Sequence, residues 1–487
     1  MALAPFFDRV YGAVGGHLSV SRESLISVLD KVSIGISCAP SLSWNDQCIA
    51  ELTTNLLARL YPRIAIAADS SLAPVLRKLA LQINPSIEFS EDALGCNTIC
   101  VGDVLARGGI YPSASGWVAR LDHEGPRASG VNNPFSAAAS AAFACAELFR
   151  RVFLQCGPER DISLSLLDFS KDRGLEMKLA ERHVGNVAFV GVGAVGNAAI
   201  WTLARDVTLN GTLLLVDHET LSLSNLQRYV LGTCADVSKH KVKLAKSTLR
   251  HSKLQVQCFP KKLETFANKH ATSEFPTICI SVDNIPSRRA AQALLPRLAI
   301  NGWTGDRALG VSWHVFSRNA SCLACLYHPR GQGLSAVEQA ARALGLSADR
   351  AAILWLTRLP LADEDIKFAA KALEVPESRL SPWRGKPLGE LYTDVVCGAV
   401  PLDVGGLGKV ETVPLAHQSA LAGILMAAEL VKRTDAELAE LSQPESLVTW
   451  DDVTSAPPSL WRKPRAREEG CICGDEVYQS VYKQKWG

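Results

Sequence analysis

At 487 residues and 47% hydrophobic content, the chain is too long for one ordinary core, and two or three domains are expected. Its 51 Lys and Arg nearly balance 49 Asp and Glu, which excludes the one-signed field that nucleic acid or an anionic membrane would demand. The longest apolar runs, such as Ala137 to Leu148, fall short of a membrane span, and the start MALAPFFDRVYG lacks a basic segment followed by a long apolar stretch, so a cytoplasmic protein is expected.

In chain order, residues from about 30 to 155 alternate short apolar runs with longer helical stretches: VSIGISCA, a helix through Cys48 to Leu60, RIAIAAD, another helix, CNTICVGDV and GWVARLD. That alternation predicts an α/β layer with a parallel sheet. Asn132-Asn133-Pro134 reads as the entry to a helix reaching about Phe153, because Pro suits a first helical turn. This first unit contains no Gly-x-Gly-x-x-Gly loop, so no phosphate site is expected in it.

After the charged segment SKDRGLEMKLAERH, the apolar run Asn186 to Val190 leads at once into Gly191-Val-Gly193-Ala-Val-Gly196, and Asn197 to Val207 continues as a helix. Strand, glycine turn and helix is the context that phosphate binding requires. One glycine permits the tight turn, one lets backbone N–H groups approach a phosphate, and one allows close helix packing. The next strand, GTLLLVD, ends in Asp217, whose carboxylate can accept hydrogen bonds from ribose hydroxyls. Loop and Asp217 together describe a dehydrogenase binding NAD as well as they describe an ATP site, so the residues beyond must decide. Further strands are expected at Thr212 to Val216 and Thr277 to Val282, with a Lys-rich helical stretch between them. Residues 335 to 391 read as a charged helical insertion broken by Pro360, Pro376, Pro382 and Pro387, before an apolar helix at Ser419 to Val431.

The deciding residues are Ser224-Asn225-Leu226-Gln227-Arg228, then Asp236-Val237-Ser238-Lys239-His240-Lys241, then Ser281-Val282-Asp283-Asn284 with Arg288 and Arg289. Here the sequence resembles the ThiF-type adenylyltransferase family that contains ubiquitin-activating enzymes and the bacterial thiamine- and molybdopterin-biosynthesis activators. In that family an Asp-led strand, an Asn-Leu-x-Arg motif, a Lys after Asp-Val-Gly and a strand-end Asp-Asn follow the glycine loop in this order. The resemblance covers about residues 165 to 330 and resumes at about 390 to 432. It implies a Rossmann-like adenylation domain and ATP. The residue types agree: Arg228 and Lys241 would neutralise triphosphate charge and stabilise attack on the α-phosphate, Asp283 would hold Mg²⁺, and Asn225 would hydrogen-bond a phosphate or the metal shell. Tyr229 stands where the family often has Gln, and Ser238 replaces the usual Gly; both put close backbone geometry in question without removing a charge.

Cys322-Leu-Ala-Cys325 and Cys471-Ile-Cys473 offer two close pairs of thiols among fourteen dilute cysteines. Four thiolates suit a tetrahedral structural zinc that would tie the tail to the nucleotide domain, the other reading being two unconnected pairs. Cys397, in Tyr392-Thr-Asp-Val-Val-Cys397-Gly398, follows the insertion where activating enzymes of the resembled family carry their thioester-forming cysteine, and it is the expected nucleophile. A buried strand thiol is the plainer alternative there, and Cys234 is the next candidate.

The expected division is an inactive adenylation-like α/β domain over 1–160, the first part of the active domain over 161–334, a helical insertion with the catalytic-cysteine region over 335–391, and a crossover segment, return to the adenylation domain and zinc-binding tail over 392–487. The silent half would give one chain the pseudo-dimer that smaller relatives build from two subunits, and could lend an Arg to the ATP site. The expected activity is adenylation of the C-terminal carboxylate of a ubiquitin-like protein ending in Gly, thioester formation, and transfer to a conjugating enzyme. Sulfur-carrier activation for cofactor biosynthesis and a non-catalytic scaffold are the alternatives.

Overall fold

The computed structural model describes residues 3–18, 20–90, 97–156, 161–270, 275–305, 308–328, 336–373, 375–392, 395, 413–444, 446–451, 459–462 and 466–487. They fall into two compact units, one comprising Met1–Tyr11, Leu25–His328 and Pro414–Gly487, the other Gly12–Ser24 and Pro329–Val413. No helix among them is long and apolar enough to cross a membrane.

Helices α1 (Phe7–Leu18) and α2 (Arg22–Lys31) open the chain. Then β1 (Ile34–Cys38), α3 (Trp44–Leu57), β2 (Arg63–Ala67), α4 (Leu72–Ile83), β3 (Glu88–Phe89) and β4 (Thr98–Val101) build a parallel sheet in the order β3-β2-β1-β4. The run GWVARLD, expected in that parallel layer, is instead β6 (Val118–Asp122), antiparallel to both β5 (Tyr111–Ser115) and β7 (Ile162–Ser165). Ser115 pairs with Val118, leaving only Gly116 and Trp117 as the turn, and a two-residue turn can join strands only antiparallel. Gly116 has φ +52°, and a Cβ there would lie 2.1 Å from the Gly174 carbonyl oxygen. Helix α5 (Pro134–Leu154) starts where expected, with the Asn133 side chain accepting from the Phe135 and Ser136 amides.

The second sheet is formed by β8 (Arg182–Val190), β9 (Leu209–Val216), β10 (Lys253–Phe259), β11 (Thr277–Ile280), β12 (Leu298–Thr304), β13 (Ala308–Val315), β14 (Leu447–Asp451) and β15 (Ser459–Arg462). Its order is β10-β9-β8-β11-β12-β13-β14-β15, parallel from β10 to β12 and antiparallel from there on. Helices α6 (Ala194–Leu203), α7 (Lys241–Thr248), α8 (Leu263–His270), α9 (Ile285–Ala293) and α10 (Leu323–Leu326) make its connections. Helix α6 begins three residues earlier than the pattern suggested, so the last glycine of the loop already lies within it.

After the insertion come α16 (Ala416–Thr434), α17 (Ala436–Leu441) and α18 (Glu476–Trp486). Helix α16 encloses the expected Ser419 to Val431 stretch and is buried from Ala416 to Lys432. Helices α3, α5, α16 and α6 pack in that succession, so a layer of four helices runs from one sheet to the other. Alanine and glycine make this close approach possible: a Cβ at Gly423 of α16 would lie 2.2 Å from the Val195 carbonyl oxygen of α6.

The second unit contains α11 (Ala336–Ala343), α12 (Ala348–Thr357), α13 (Asp363–Ala372), α14 (Glu377–Leu380) and α15 (Leu388–Leu391) around a core that includes Leu354, Ile366, Leu380, Trp383 and Leu388. The prolines punctuate it as expected, with Pro376 and Pro387 at the N-caps of α14 and α15.

Candidate nucleotide site and cysteine clip

The glycine loop follows β8, Asp217 follows β9, and Asp283 follows β11, so all three lie at the carboxyl edge of neighbouring parallel strands, where open α/β sheets bind ligands. Each glycine has a different reason to be there. Gly191 takes φ +89° and its N–H donates to the Val216 carbonyl at 2.9 Å. Gly196 has no room for a side chain, because a Cβ would sit 2.2 Å from the Gly191 carbonyl oxygen and 2.6 Å from Ser281 Oγ. Gly193 faces open space, and as the N-cap of α6 it supplies no side-chain hydrogen bond. The first amides of α6 are therefore left for an outside acceptor, and the macrodipole favours an anion there.

Asp217 braces this loop. Its Oδ2 accepts from the Val192 N–H at 2.7 Å and its Oδ1 from the Glu219 N–H at 2.9 Å. Burial pushes its carboxyl above the ordinary value, against the pull of the Glu219 amide, the Lys241 charge and the Val192 amide. Ser281, which the sequence placed in the strand-end motif without a role, donates from Oγ to the Gly191 carbonyl at 2.7 Å. Asn197 is a residue the sequence reading missed: its buried amide donates to the Gly193 and Ala194 carbonyls at 2.7 Å each.

The Asn225 to Arg228 motif forms a 3₁₀ turn, Leu223–Gln227, in which Asn225 Oδ1 accepts from the Ser222 N–H at 3.2 Å. Arg228 follows as its C-cap, half-buried, with Nη1 3.4 Å from Gln227 Oε1. Residues 219–221 and 238–241 then pair back to back, with Leu221 N–H donating to Lys239 O at 2.8 Å and Ser238 N–H to Leu221 O at 2.7 Å. Closing that pairing requires φ +75° at Ser238, the left-handed region that explains why glycine is the usual residue there. Tyr229 is buried, its hydroxyl pushed well above its usual range by burial, and its ring lies 6.0 Å from Lys241 Nζ.

Lys241 opens α7 with only 3% of its surface exposed, and its ammonium is paired with Glu219. The neighbouring Lys239 is exposed and pairs with Asp236 at 2.8 Å. Asp283 is exposed, accepting from Asn284 Nδ2 at 3.1 Å, while Asn284 caps α9 through Ser287 N–H at 2.8 Å. One carboxylate beside a phosphate loop fits Mg²⁺, which is commonly held by one or two carboxylates together with substrate phosphates. Arg288 is buried and bonded within the fold: Nη1 donates to Asn301 Oδ1 and the Tyr327 hydroxyl, the latter at 3.1 Å.

The four cysteines of the two pairs converge. Cys322 Sγ lies 3.6 Å from Cys471 Sγ and 4.0 Å from Cys325 Sγ, and Cys325 Sγ lies 3.5 Å from Cys473 Sγ. All are buried, with every Sγ within 4.8 Å of the others. A tetrahedron of thiolates around zinc has S···S edges of about 3.8 Å, so the donor set fits that ion. Two unconnected thiol pairs are ruled out by this convergence. The clip also anchors α18, whose Lys485 Nζ and Trp486 Nε1 donate to the Leu294 and Leu295 carbonyls at 2.9 and 2.7 Å, closing the C-terminal end of α9. Asp283 precedes the other end of that helix.

Residues 168–473 match the ThiF family model. The chain belongs to the ThiF family. It is accordingly an enzyme of the adenylyltransferase type. Residues 35–154 match a different model, Prokaryotic E2 family C. Uncharacterized protein y4jF of Sinorhizobium fredii is 34% identical, over all of this chain and 98% of its own. The sulfur carrier protein ThiS adenylyltransferase of Escherichia coli is 29% identical over 22% of this chain and 43% of that protein. The adenylyltransferase and sulfurtransferase MOCS3 of Arabidopsis thaliana is 29% identical over 29% of this chain and 31% of that protein. Among solved structures, E. coli MccB with MccA-N7isoASN is similar at 16% identity and TM-score 0.37, over 60% of this chain and 67% of that one.

Cys397 lies outside the described residues. Cys234 is half-buried, its Sγ donates to the Ile83 carbonyl at 3.2 Å, and burial raises its thiol pKa.

Proposed function

We propose that the chain adenylates the C-terminal carboxylate of a small ubiquitin-like protein ending in glycine. The observation that carries this reading is the grouping of the glycine loop, Asp217 and Asp283 along one sheet edge, with Arg228 and Lys241 on the turns that follow β9. The carboxylate attacks the α-phosphate of ATP, the bond to the β-phosphate breaks, and pyrophosphate leaves. Asp217 orients the ribose, the α6 amides and Arg228 hold phosphate oxygens, and Lys241 moves from Glu219 to the charge that develops on the reacting phosphate. Mg²⁺, held by Asp283, would neutralise the departing pyrophosphate. A thiolate at Cys397 then attacks the acyl carbon, AMP leaves, and the product is a thioester ready for a conjugating enzyme.

The first sheet supports a silent partner role for residues 1–160, because its strand order repeats that of the active sheet without a glycine loop. The E2-family match of residues 35–154 favours a second reading, in which this half itself takes part in transfer. Against it, burial pushes the Cys38 and Cys48 thiols up to about 12 and Cys100 up to about 11. The names of the ThiS adenylyltransferase and MOCS3 favour sulfur-carrier activation as an alternative substrate class.

Exchange of labelled pyrophosphate into ATP tests the reading, with a ubiquitin-like protein ending in Gly-Gly as the acceptor. Asp283→Ala is expected to abolish exchange, and Cys397→Ala to retain exchange while losing a thiol-sensitive adduct. Exchange that persists without Asp283 would sink the metal assignment.

A further inference from the structure

Helix α3 belongs to the first sheet, yet the side chains near its end are committed to the nucleotide half. Arg59 is 1% exposed. Its Nη1 donates to the Leu226 carbonyl and its Nη2 to the Gly232 carbonyl at 3.3 Å, while Nε and Nη2 hold Asn55 Oδ1 at 3.0 and 2.9 Å. Asn55 Nδ2 in turn donates to the Val230 carbonyl at 3.0 Å. Three carbonyls of one loop, residues 226 to 232, are thus gripped by two side chains from elsewhere, and Arg228 sits inside the gripped span.

This cation has no carboxylate partner among the described residues. Its acceptors are carbonyls alone, and burial lowers its pKa to about 9. A guanidinium buried on neutral acceptors is costly, and a well-packed apolar side chain would fill the same space more cheaply. What only the planar fork provides is several donors in fixed geometry, which sets the path of a loop that has no strand to fix it. The loop has weaker ties besides, the Leu231 N–H donating to Asn197 Oδ1 and Gln227 Nε2 to the Pro414 carbonyl at 3.4 Å each, and it is packed closely: a Cβ at Gly232 would lie 2.6 Å from Leu221 Cδ2 and 3.1 Å from Tyr229 Cδ1.

We propose that Arg59, braced by Asn55, is a positioning residue of the nucleotide site: it fixes the 226–232 loop so that Arg228 meets the triphosphate. Arg59 is consumed by the loop and does not itself touch the nucleotide. The proposal rests on the ATP reading above.

Calorimetric titration of the full chain with MgATP and, separately, with adenosine tests it. Adenosine lacks the phosphates that Arg228 meets. Arg59→Met is expected to weaken MgATP by about tenfold and adenosine by less than about twofold, and in an Arg228→Ala background to add less than about twofold. Arg59→Lys, which restores an ammonium donor group without the planar fork, should recover part of the loss. Asn55→Ala, which leaves the guanidinium on Leu226 and Gly232, should weaken MgATP by about threefold and decides the matter if Arg59→Met does not fold. Equal losses for the two ligands, no loss, or full additivity with Arg228→Ala overturns the proposal. Absence of MgATP binding by the unaltered chain would instead overturn the function on which it rests.

Discussion

Strands β3-β2-β1-β4 and β10-β9-β8-β11 share one parallel order, and the correspondence continues beyond it. Ile110, just before β5, bridges Ile99 of β4 in parallel, as β12 pairs with β11; β6 and β7 then run antiparallel, as β13 and β14 do. Long buried helices close both halves, α5 in one and α16 in the other. The divergence is in the first turn. After β8 the chain turns on glycines and enters α6 with its amides uncapped. After β1 it runs through Ala39-Pro40-Ser41-Leu42, and Ser43 and Asp46 form a reciprocal capping box on α3. Asp46 Oδ2 accepts from Ser43 Oγ at 2.7 Å and Oδ1 from Ser129 Oγ at 2.6 Å. The Ser43 hydroxyl thus already takes the Asp46 amide at 3.1 Å, with a carboxylate beside that helix start to disfavour an anion, and Leu42 Cδ2 lies 2.9 Å from where a Cβ on Gly102 would be. The two halves share a strand order and differ in whether the first helix amides are left open.

The sharpest way to break this comparison is Gly196→Val. With Gly191 O and Ser281 Oγ already inside contact distance of a Cβ, MgATP affinity should fall by more than about a hundredfold in calorimetry. The unaltered chain should bind MgATP at a single site; a second would contradict the capped α3. Next in size, Asp283→Asn should slow pyrophosphate exchange by about 10²–10³-fold at unchanged far-ultraviolet circular dichroism. The cysteine clip belongs to the second half alone. Cys473→Ser should lose bound zinc by metal analysis and lower the melting temperature by about 5 °C or more.

Smaller effects sharpen the contrast. Ser43→Ala removes a cap and should cost about 1 kcal/mol in urea unfolding, leaving MgATP affinity unchanged. The smallest change expected is for Ser238→Gly. Relief of the left-handed backbone outweighs the added freedom of the unfolded chain, for a gain of about 0.5 kcal/mol by the same measurement.

Much of the candidate site was legible because its residues fall in local motifs. The turn at Gly191, the packing at Gly196 and the openness at Gly193 are three distinct demands, and each glycine meets one of them. The antiparallel turn at Gly116 was missed because an apolar run such as GWVARLD carries the same β signal whichever way its partner runs. Glu219 could have been suspected from its place beside Asp217, but pairing with Lys241 depends on the backbone pairing of 219–221 with 238–241.

By itself the sequence determined the local elements of the second half: strand, glycine loop, helix and terminal acid are fixed by backbone conformations and periodicities that act within a few residues. Only the tertiary structure decided which groups meet across long separations. It joined Cys322 and Cys325 to Cys471 and Cys473, and it placed Arg59 and Asn55 on the loop that carries Arg228. The reason is physical. Metal ligation and the satisfaction of buried carbonyls depend on distances in space, which local propensity does not encode.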